Sequence, residues 1–159
     1  MDLDQEDENT MNAKFLNIRS LKAHHEDLFR ETCVNNSQVI CLCETKLTNY
    51  DKYEIERMVC ISVNNSHGSV VFTSTSFERQ NIIIAAKLES IEAIALKVKS
   101  VTIVYVYFPP TTSLTVVKKD FQSLLQELKP SSENNCVILC DCNLDNNKRQ
   151  RFLCTIIWT

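Results

Sequence analysis

Two segments of the chain place an acidic side chain beside closely spaced cysteines at the end of an apolar run. The first is VICLCE, Val39 to Glu44, and the second is VILCDCN, Val137 to Asn143. These residue types suit three interpretations: thiolates that bind a soft metal, oxygen ligands that bind a hard cation and a phosphate, or polar residues that only begin a turn. From the spacing alone the turn is favoured, and the other two interpretations stay open.

The cysteines argue more for packing than for a metal. The chain has eight of them: Cys33, Cys41, Cys43, Cys60, Cys136, Cys140, Cys142 and Cys154. Most lie in apolar runs, which is typical of small buried hydrophobic residues in a reducing compartment. No C-x2-C pair exists and neither C-x-C pair has a neighbouring histidine. Structural zinc is therefore the less favoured alternative.

The alternation of side chains along a strand separates the acids from the cysteines. In the second segment it places the two cysteines on one face, and Asp141 and Asn143 on the other. The same rule predicts that Glu44 faces away from Cys43. Each acid then sits at the carboxyl end of a strand, where sheet enzymes often place their sites.

Composition indicates one globular domain behind a charged tail. The 159 residues are 44% apolar and 23% charged, and the net charge is −3. Five acidic residues among the first eight leave the remainder at +2. We interpret residues 1–11 as a disordered acidic tail and residues 12–159 as the domain. No apolar run is long enough to span a bilayer, and an acidic start is unlike a signal peptide, so we expect an intracellular protein without membrane contact.

The hydrophobic pattern predicts an α/β (α+β) protein. Ser20 can cap a first helix whose apolar face extends to Cys33, and Leu114 to Leu128 carries the stripe of a second. Strands are predicted at 15–18, 39–43, 60–63, 70–73, 82–88, 94–98, 101–107 and 137–142, and a third helix begins within 144–154. Strands dominate the middle of the chain, between the two helices.

Five motifs in order resemble the endonuclease/exonuclease/phosphatase superfamily, which includes apurinic endonucleases, deoxyribonuclease I and the endonuclease domains of mobile elements. They are LNIRSL (Leu16–Leu21), VICLCETKL (Val39–Leu47), the turn at the lone Gly68, VYVYFPP (Val104–Pro110) and VILCDCN (Val137–Asn143). LNIRSLKAHHEDL and the ET-x-L segment are most similar to the mobile-element branch. The resemblance covers about residues 13–155 and implies a β-sandwich flanked by helices.

The resemblance also implies a role for each matching residue. Glu44 would bind a divalent cation, Mg2+ or Mn2+, with Asn17 helping to hold the metal and the phosphate. Tyr107 would contact the scissile phosphate, Asp141 would orient or deprotonate the attacking water, and Asn143 would contact a phosphate oxygen. These types suit phosphodiester hydrolysis, which needs a hard cation on oxygen ligands, a base and donors for the phosphoryl oxygens.

The sequence departs from the family pattern in two places. The family's G-D-F-N is here Cys140-Asp-Cys-Asn143, and only 16 residues follow Asn143 without the family's closing Ser-Asp-His motif. The histidines present, His24, His25 and His67, do not match its position. We therefore expect a partial domain that lacks the closing C-terminal strands.

Three functions follow as hypotheses. The first is a Mg2+-dependent phosphodiesterase of the endonuclease type that acts on a nucleic-acid backbone, with DNA favoured and weak or no nicking expected. The second is a catalytically inactive remnant of a mobile-element endonuclease that acts, if at all, as a binding module. The third is a metal protein that uses the C-x-C pairs.

Overall fold

A computed structural model shows how these segments are arranged in space. It describes residues 11–30, 36–48, 53–62, 68–77, 82–98, 100–110, 113–129, 135–142 and 152–158. The predicted tail therefore lies outside the described residues except for Met11, which packs against the core between the two sheets.

Nine strands and two helices make up the described chain. They are β1 Ala13–Asn17, α1 Leu21–Arg30, β2 Val39–Cys43, β3 Met58–Ser62, β4 Val70–Ser74, β5 Ile82–Lys87, β6 Glu92–Val98, β7 Val101–Phe108, α2 Leu114–Leu128, β8 Asn135–Cys142 and β9 Phe152–Trp158. One sheet has the order β1-β2-β4-β3 and the other the order β5-β6-β7-β8-β9. Each sheet contains one parallel pair, β1 with β2 and β7 with β8.

Both faces of the first sheet are covered, which explains the continuous apolar run of β2. Val39 and Cys41 point into the core between the sheets, whereas Ile40 and Leu42 pack beneath α1 with Leu21. All five side chains of β2 are buried. A strand buried on both sides has no solvent face for polar residues, and so loses the usual apolar–polar alternation.

The outer face of the second sheet packs against α2. Val117 and Leu124 of the helix contact strand residues that include Val104 and Ile138. Ser113 caps the helix by accepting a hydrogen bond from the Val116 N–H. The result is four layers, helix on sheet on sheet on helix, which confirms the predicted sandwich flanked by helices.

The prediction of a third helix within 144–154 is wrong for residues 152–154, the part of that range that the structure describes. Phe152 to Cys154 lie in β9, which pairs antiparallel with β8 over Cys136–Cys142. An unpaired edge of β8 would leave a row of backbone N–H and C=O groups without partners, and residues such as Ile156 and Ile157 favour the strand that satisfies them. Neither α1 nor α2, the helices of the described chain, is long and apolar enough to cross a membrane.

Candidate active site

Four of the five predicted site residues meet where the two parallel strand pairs end. Asn17 is the last residue of β1 and Glu44 directly follows β2. Tyr107 and Asp141 are each one residue from the end of β7 and β8, and they are register partners. The two strands of a parallel pair end at the same edge of their sheet, and so the polar residues at their carboxyl ends lie next to each other.

Asn17 connects the two acids. Its amide nitrogen donates to Glu44 Oε1 at 2.8 Å and to Asp141 Oδ2 at 2.9 Å. Asn17 ends β1 and Asp141 lies in β8 of the other sheet, whereas Glu44 directly follows β2. One amide group therefore links the two carboxylates by hydrogen bonds across the two sheets.

Two further donors complete the cluster. Tyr107 donates its hydroxyl to Glu44 Oε1 at 3.3 Å, and the Cys43 thiol donates to Asp141 Oδ2 at 3.5 Å. Burial raises the pKa of Tyr107, and the charge of Glu44 raises it further. Burial also raises the pKa of Cys43, with an added contribution from the charge of Asp141. Both groups are therefore protonated donors at neutral pH.

The alternation rule fails at Glu44. It predicts that Glu44 and Cys43 face opposite ways, yet Asn17 and Asp141 link the two side chains into one cluster. The reason is the backbone of Glu44, whose φ of 54° is left-handed and ends the strand geometry. Cys43 is thus a site contact that the sequence pattern, which treats it as a packing residue, does not predict.

Two oxygen atoms of the cluster accept no hydrogen bond from the described residues. Asn17 Oδ1 and Asp141 Oδ1 are buried and have no partner within the described part of the chain. A buried acceptor without a donor is costly, and amide and carboxylate oxygens are the ligands that Mg2+ and Mn2+ prefer. The donor set therefore fits a hard divalent cation.

The described residues offer only a few ligands for such a cation. The described residues hold no group of three or more His, Cys, Asp or Glu side chains that is arranged for a metal. Mg2+ characteristically keeps several waters and uses one or two carboxylates together with substrate oxygens, which matches the Glu44 carboxylate and the Asn17 amide. Among the cysteines whose side chains the structure describes, Cys41 and Cys43 face the core between the sheets, whereas Cys140 packs beneath α2.

Beside the cluster lies an open cavity of about 370 Å³. Asn17, Arg19 and His24 are among the residues that line it. Arg19 is exposed, and His24 pairs with Asp27 at 3.4 Å. The fifth predicted site residue, Asn143, lies outside the described residues, and its phosphate contact stays a prediction.

The chain is similar to known proteins in structure, whereas searches by sequence find no match. No protein-family model matches the chain, and no curated protein matches it. Solved structures do match, among them the endonuclease domain of TRAS1, a telomere-specific non-LTR retrotransposon (TM-score 0.53, 11% identity, 83% of this chain and 58% of that one). An AP endonuclease from Archaeoglobus fulgidus matches with TM-score 0.54, 16% identity, 83% of this chain and 57% of that one. The 3′ phosphatase NExo from Neisseria matches with TM-score 0.57, 16% identity, 84% of this chain and 58% of that one.

The chain has the endonuclease/exonuclease/phosphatase fold. The resemblance of the five motifs is thereby confirmed at the level of the fold. The chain spans 57–58% of the length of these three structures. Fold and activity are separate matters, so the activity has to be argued from the site.

Proposed function

We propose that the chain carries part of a divalent-cation-dependent phosphodiester hydrolase site of the endonuclease type, with a nucleic-acid backbone as substrate and DNA favoured. The observation that carries the proposal is the Asn17 bridge. Asn17 donates to both carboxylates, and within the described part of the chain Asn17 Oδ1 and Asp141 Oδ1 are buried and have no hydrogen-bond partner. Such an arrangement is costly unless a cation or a reacting group uses those oxygens.

Each residue of the cluster has a chemical task in this proposal. Glu44 and Asn17 would hold Mg2+ or Mn2+, and the bound cation would offset the negative charge that develops on the phosphate. Asp141 accepts the proton of the attacking water, a task for which a carboxylate with one free oxygen is suited. Tyr107, kept neutral by burial and by Glu44, supplies a hydroxyl donor near the phosphoryl oxygens.

Nucleic acid is the substrate class that two observations favour. The 3′ phosphatase structure that resembles this chain is bound to product DNA hairpin, and another similar structure is an AP endonuclease. The cavity beside Asn17 is also lined by Arg19, whose guanidinium suits a phosphate backbone.

Nicking of supercoiled plasmid DNA in Mg2+ or Mn2+ tests the proposal. We expect slow, chelator-sensitive nicking that Asp141→Ala lowers by roughly 10²–10⁴-fold, since a general base contributes about that much. Glu89→Ala is the control for removal of an acid outside the site, because Glu89 is exposed and pairs with Lys119 of α2. Its nicking rate should equal that of the unchanged protein.

The other outcomes are informative as well. Nicking that persists in Asp141→Ala would show that the assigned site is wrong. Cation binding and DNA binding without any nicking would favour the second function, a catalytically inactive binding module.

A further inference from the structure

A second polar cluster lies between the sheets and has no place in the site described above. Glu92, Ser69 and Tyr105 are all fully buried. Ser69 donates its hydroxyl to the Glu92 carboxylate. The Tyr105 hydroxyl lies 3.4 Å from Ser69 Oγ and donates to the backbone oxygen of Leu42 at 3.3 Å. Burying a carboxylate costs several kcal/mol by general estimates, so this cluster needs a compensating role.

The cluster is connected to the segment that carries Glu44. Ser69 follows Gly68, whose carbonyl oxygen accepts from the Thr45 backbone N–H at 3.2 Å and from Thr45 Oγ1 at 2.7 Å. Thr45 is the next residue after Glu44 and is fully buried. On the other side of Glu44, Tyr105 holds the carbonyl of Leu42. The cluster therefore contacts the chain on both sides of the acid.

Glu44 needs such support because of its backbone. Its φ of 54° lies in the left-handed region, which costs a residue with a side chain about 1–2 kcal/mol. Lys46, two residues later, is also left-handed, with φ 56°. Residues in such conformations persist only when the surrounding structure holds them. The Gly68–Thr45 hydrogen bonds are the contacts that do so here, together with the Leu21 N–H, which donates to the Thr45 carbonyl at 2.9 Å.

We propose that Ser69 and Glu92 are positioning residues that hold Glu44 for cation binding through the Gly68–Thr45 contact. This inference rests on the proposed function, because it assigns a purpose to the conformation of the cation ligand. Ser69 and Glu92 touch neither cation nor substrate in it. Their effect on Glu44 passes through the backbone on both sides of that residue, at Leu42 and at Thr45.

The chain offers a matched control elsewhere in the fold. Asp120 on α2 is also a buried carboxylate, and it accepts from the Ser90 hydroxyl at 2.7 Å and from the Ser90 N–H. This pair lies on the α2 side of the second sheet, away from the site. Loss of the Ser90 hydroxyl should cost stability as loss of the Ser69 hydroxyl does, without changing Glu44.

The experiment compares Ser69→Ala, Glu92→Gln and Ser90→Ala in the full chain. Mn2+ affinity is measured by electron paramagnetic resonance. Amide hydrogen exchange at Thr45 and Leu21 is followed by mass spectrometry or NMR, and stability is measured by urea unfolding. We expect Ser69→Ala to speed exchange at Thr45 and to weaken Mn2+ binding by at most about tenfold, because residues that directly bond a metal ligand contribute about 10–100-fold and Ser69 acts one contact further away. Glu92→Gln keeps an acceptor for Ser69 and should retain nearly the affinity of the unchanged protein. Ser90→Ala should alter stability alone.

Two results would overturn the positioning role. One is unchanged exchange at Thr45 in Ser69→Ala, and the other is an equal loss of Mn2+ affinity in Ser90→Ala. If the unchanged protein does not bind Mn2+, the proposed cation site is wrong, and the exchange at Thr45 alone then decides whether Ser69 holds this segment. If Glu92→Gln does not fold, Ser69→Ala and Ser90→Ala still give the answer.

Discussion

The two acid-bearing segments, Val39–Glu44 and Val137–Asp141, share a sequence pattern but hold their acids by different means. Asp141 lies within β8, where it is paired with Tyr107 of β7 on one side and with Leu153 of β9 on the other. Glu44 lies beyond the end of β2 in a left-handed conformation. A strand between two partners fixes the acid of the second segment, and a turn fixes the acid of the first.

This difference makes the two acids sensitive to different changes. Asp141 keeps its place as long as the sheet register is kept, because register decides which face each side chain takes. Glu44 lies beyond the end of β2, and the residue after it, Thr45, is bonded to the Gly68 carbonyl, the contact that we propose holds Glu44 in place. Substitutions in that turn should therefore disturb one acid and leave the other in position.

The largest expected effect is that of Gly68→Ala. A methyl group at Gly68 would lie 2.5 Å from Thr45 Oγ1 and 2.8 Å from the Lys46 N–H nitrogen, on a residue whose φ is 94°. We expect the free energy of unfolding to fall by about 2–4 kcal/mol, from the left-handed strain and the overlap together. Urea unfolding measures the loss.

Hydrogen exchange in the same variant sharpens the comparison. Amides near Glu44 should exchange faster than in the unchanged protein, while the amides of β8 around Asp141 keep their relative protection. Equal loosening of both segments would contradict the idea that they are held independently.

A smaller effect should distinguish the two thiols of β2. Cys43 donates to Asp141 Oδ2, whereas the thiol of Cys41, fully buried between the sheets, makes no hydrogen bond within the described residues. A hydroxyl in place of the Cys41 thiol would be buried without a partner, so Cys41→Ser should destabilise the fold by about 1–3 kcal/mol. Cys43→Ser should cost less than about 1 kcal/mol, because its hydroxyl can donate to the same carboxylate. Equal losses in thermal or urea unfolding would show that the contact with Asp141 does not matter.

A comparably small effect concerns the stability at alkaline pH. Burial raises the pKa of Cys41 from 9.0 to about 12. A thiol whose pKa is raised by folding contributes its full stability below pH 9 and loses it as the pH rises toward 12, because the unfolded chain ionises first. Between pH 8 and pH 10 this thiol should account for about 1.4 kcal/mol of lost stability. In Cys41→Ala, the free energy of unfolding measured in urea should fall by that much less between pH 8 and pH 10. An equal fall in Cys41→Ala and in the unchanged protein would show that the Cys41 thiol is not responsible.

The element-level predictions follow from local patterns and were mostly confirmed. The apolar stripe from Leu114 to Leu128 is α2 with those bounds, and the apolar run from Val39 to Cys43 is β2. Both patterns are strong because burial acts on every residue of the element. The prediction of a helix within 144–154 was wrong at its end, since the pairing of Phe152–Trp158 with β8 depends on a strand edge that no local window contains.

The site was predicted as a set of residues and not as a geometry. Asn17, Glu44, Tyr107 and Asp141 were singled out by motif order, and the structure brings them together. The contact of Cys43 with Asp141 was not predicted, because a thiol in an apolar run carries no sequence signal for a hydrogen bond. Neither was the Ser69–Glu92 pair, whose members are 23 residues apart.

The sequence by itself determined most of the apolar core, most of the strands and helices, and which polar residues end the strands, because these follow from periodicity and residue type. Only the tertiary structure decided that Asn17 bridges Glu44 and Asp141, that Glu44 leaves the strand geometry, and that Ser69 pairs with Glu92 between the sheets. These features depend on how two sheets are laid on one another. A contact between residues as far apart in the chain as Asn17 and Asp141 is set by the packing of whole layers, which no local run of residues specifies.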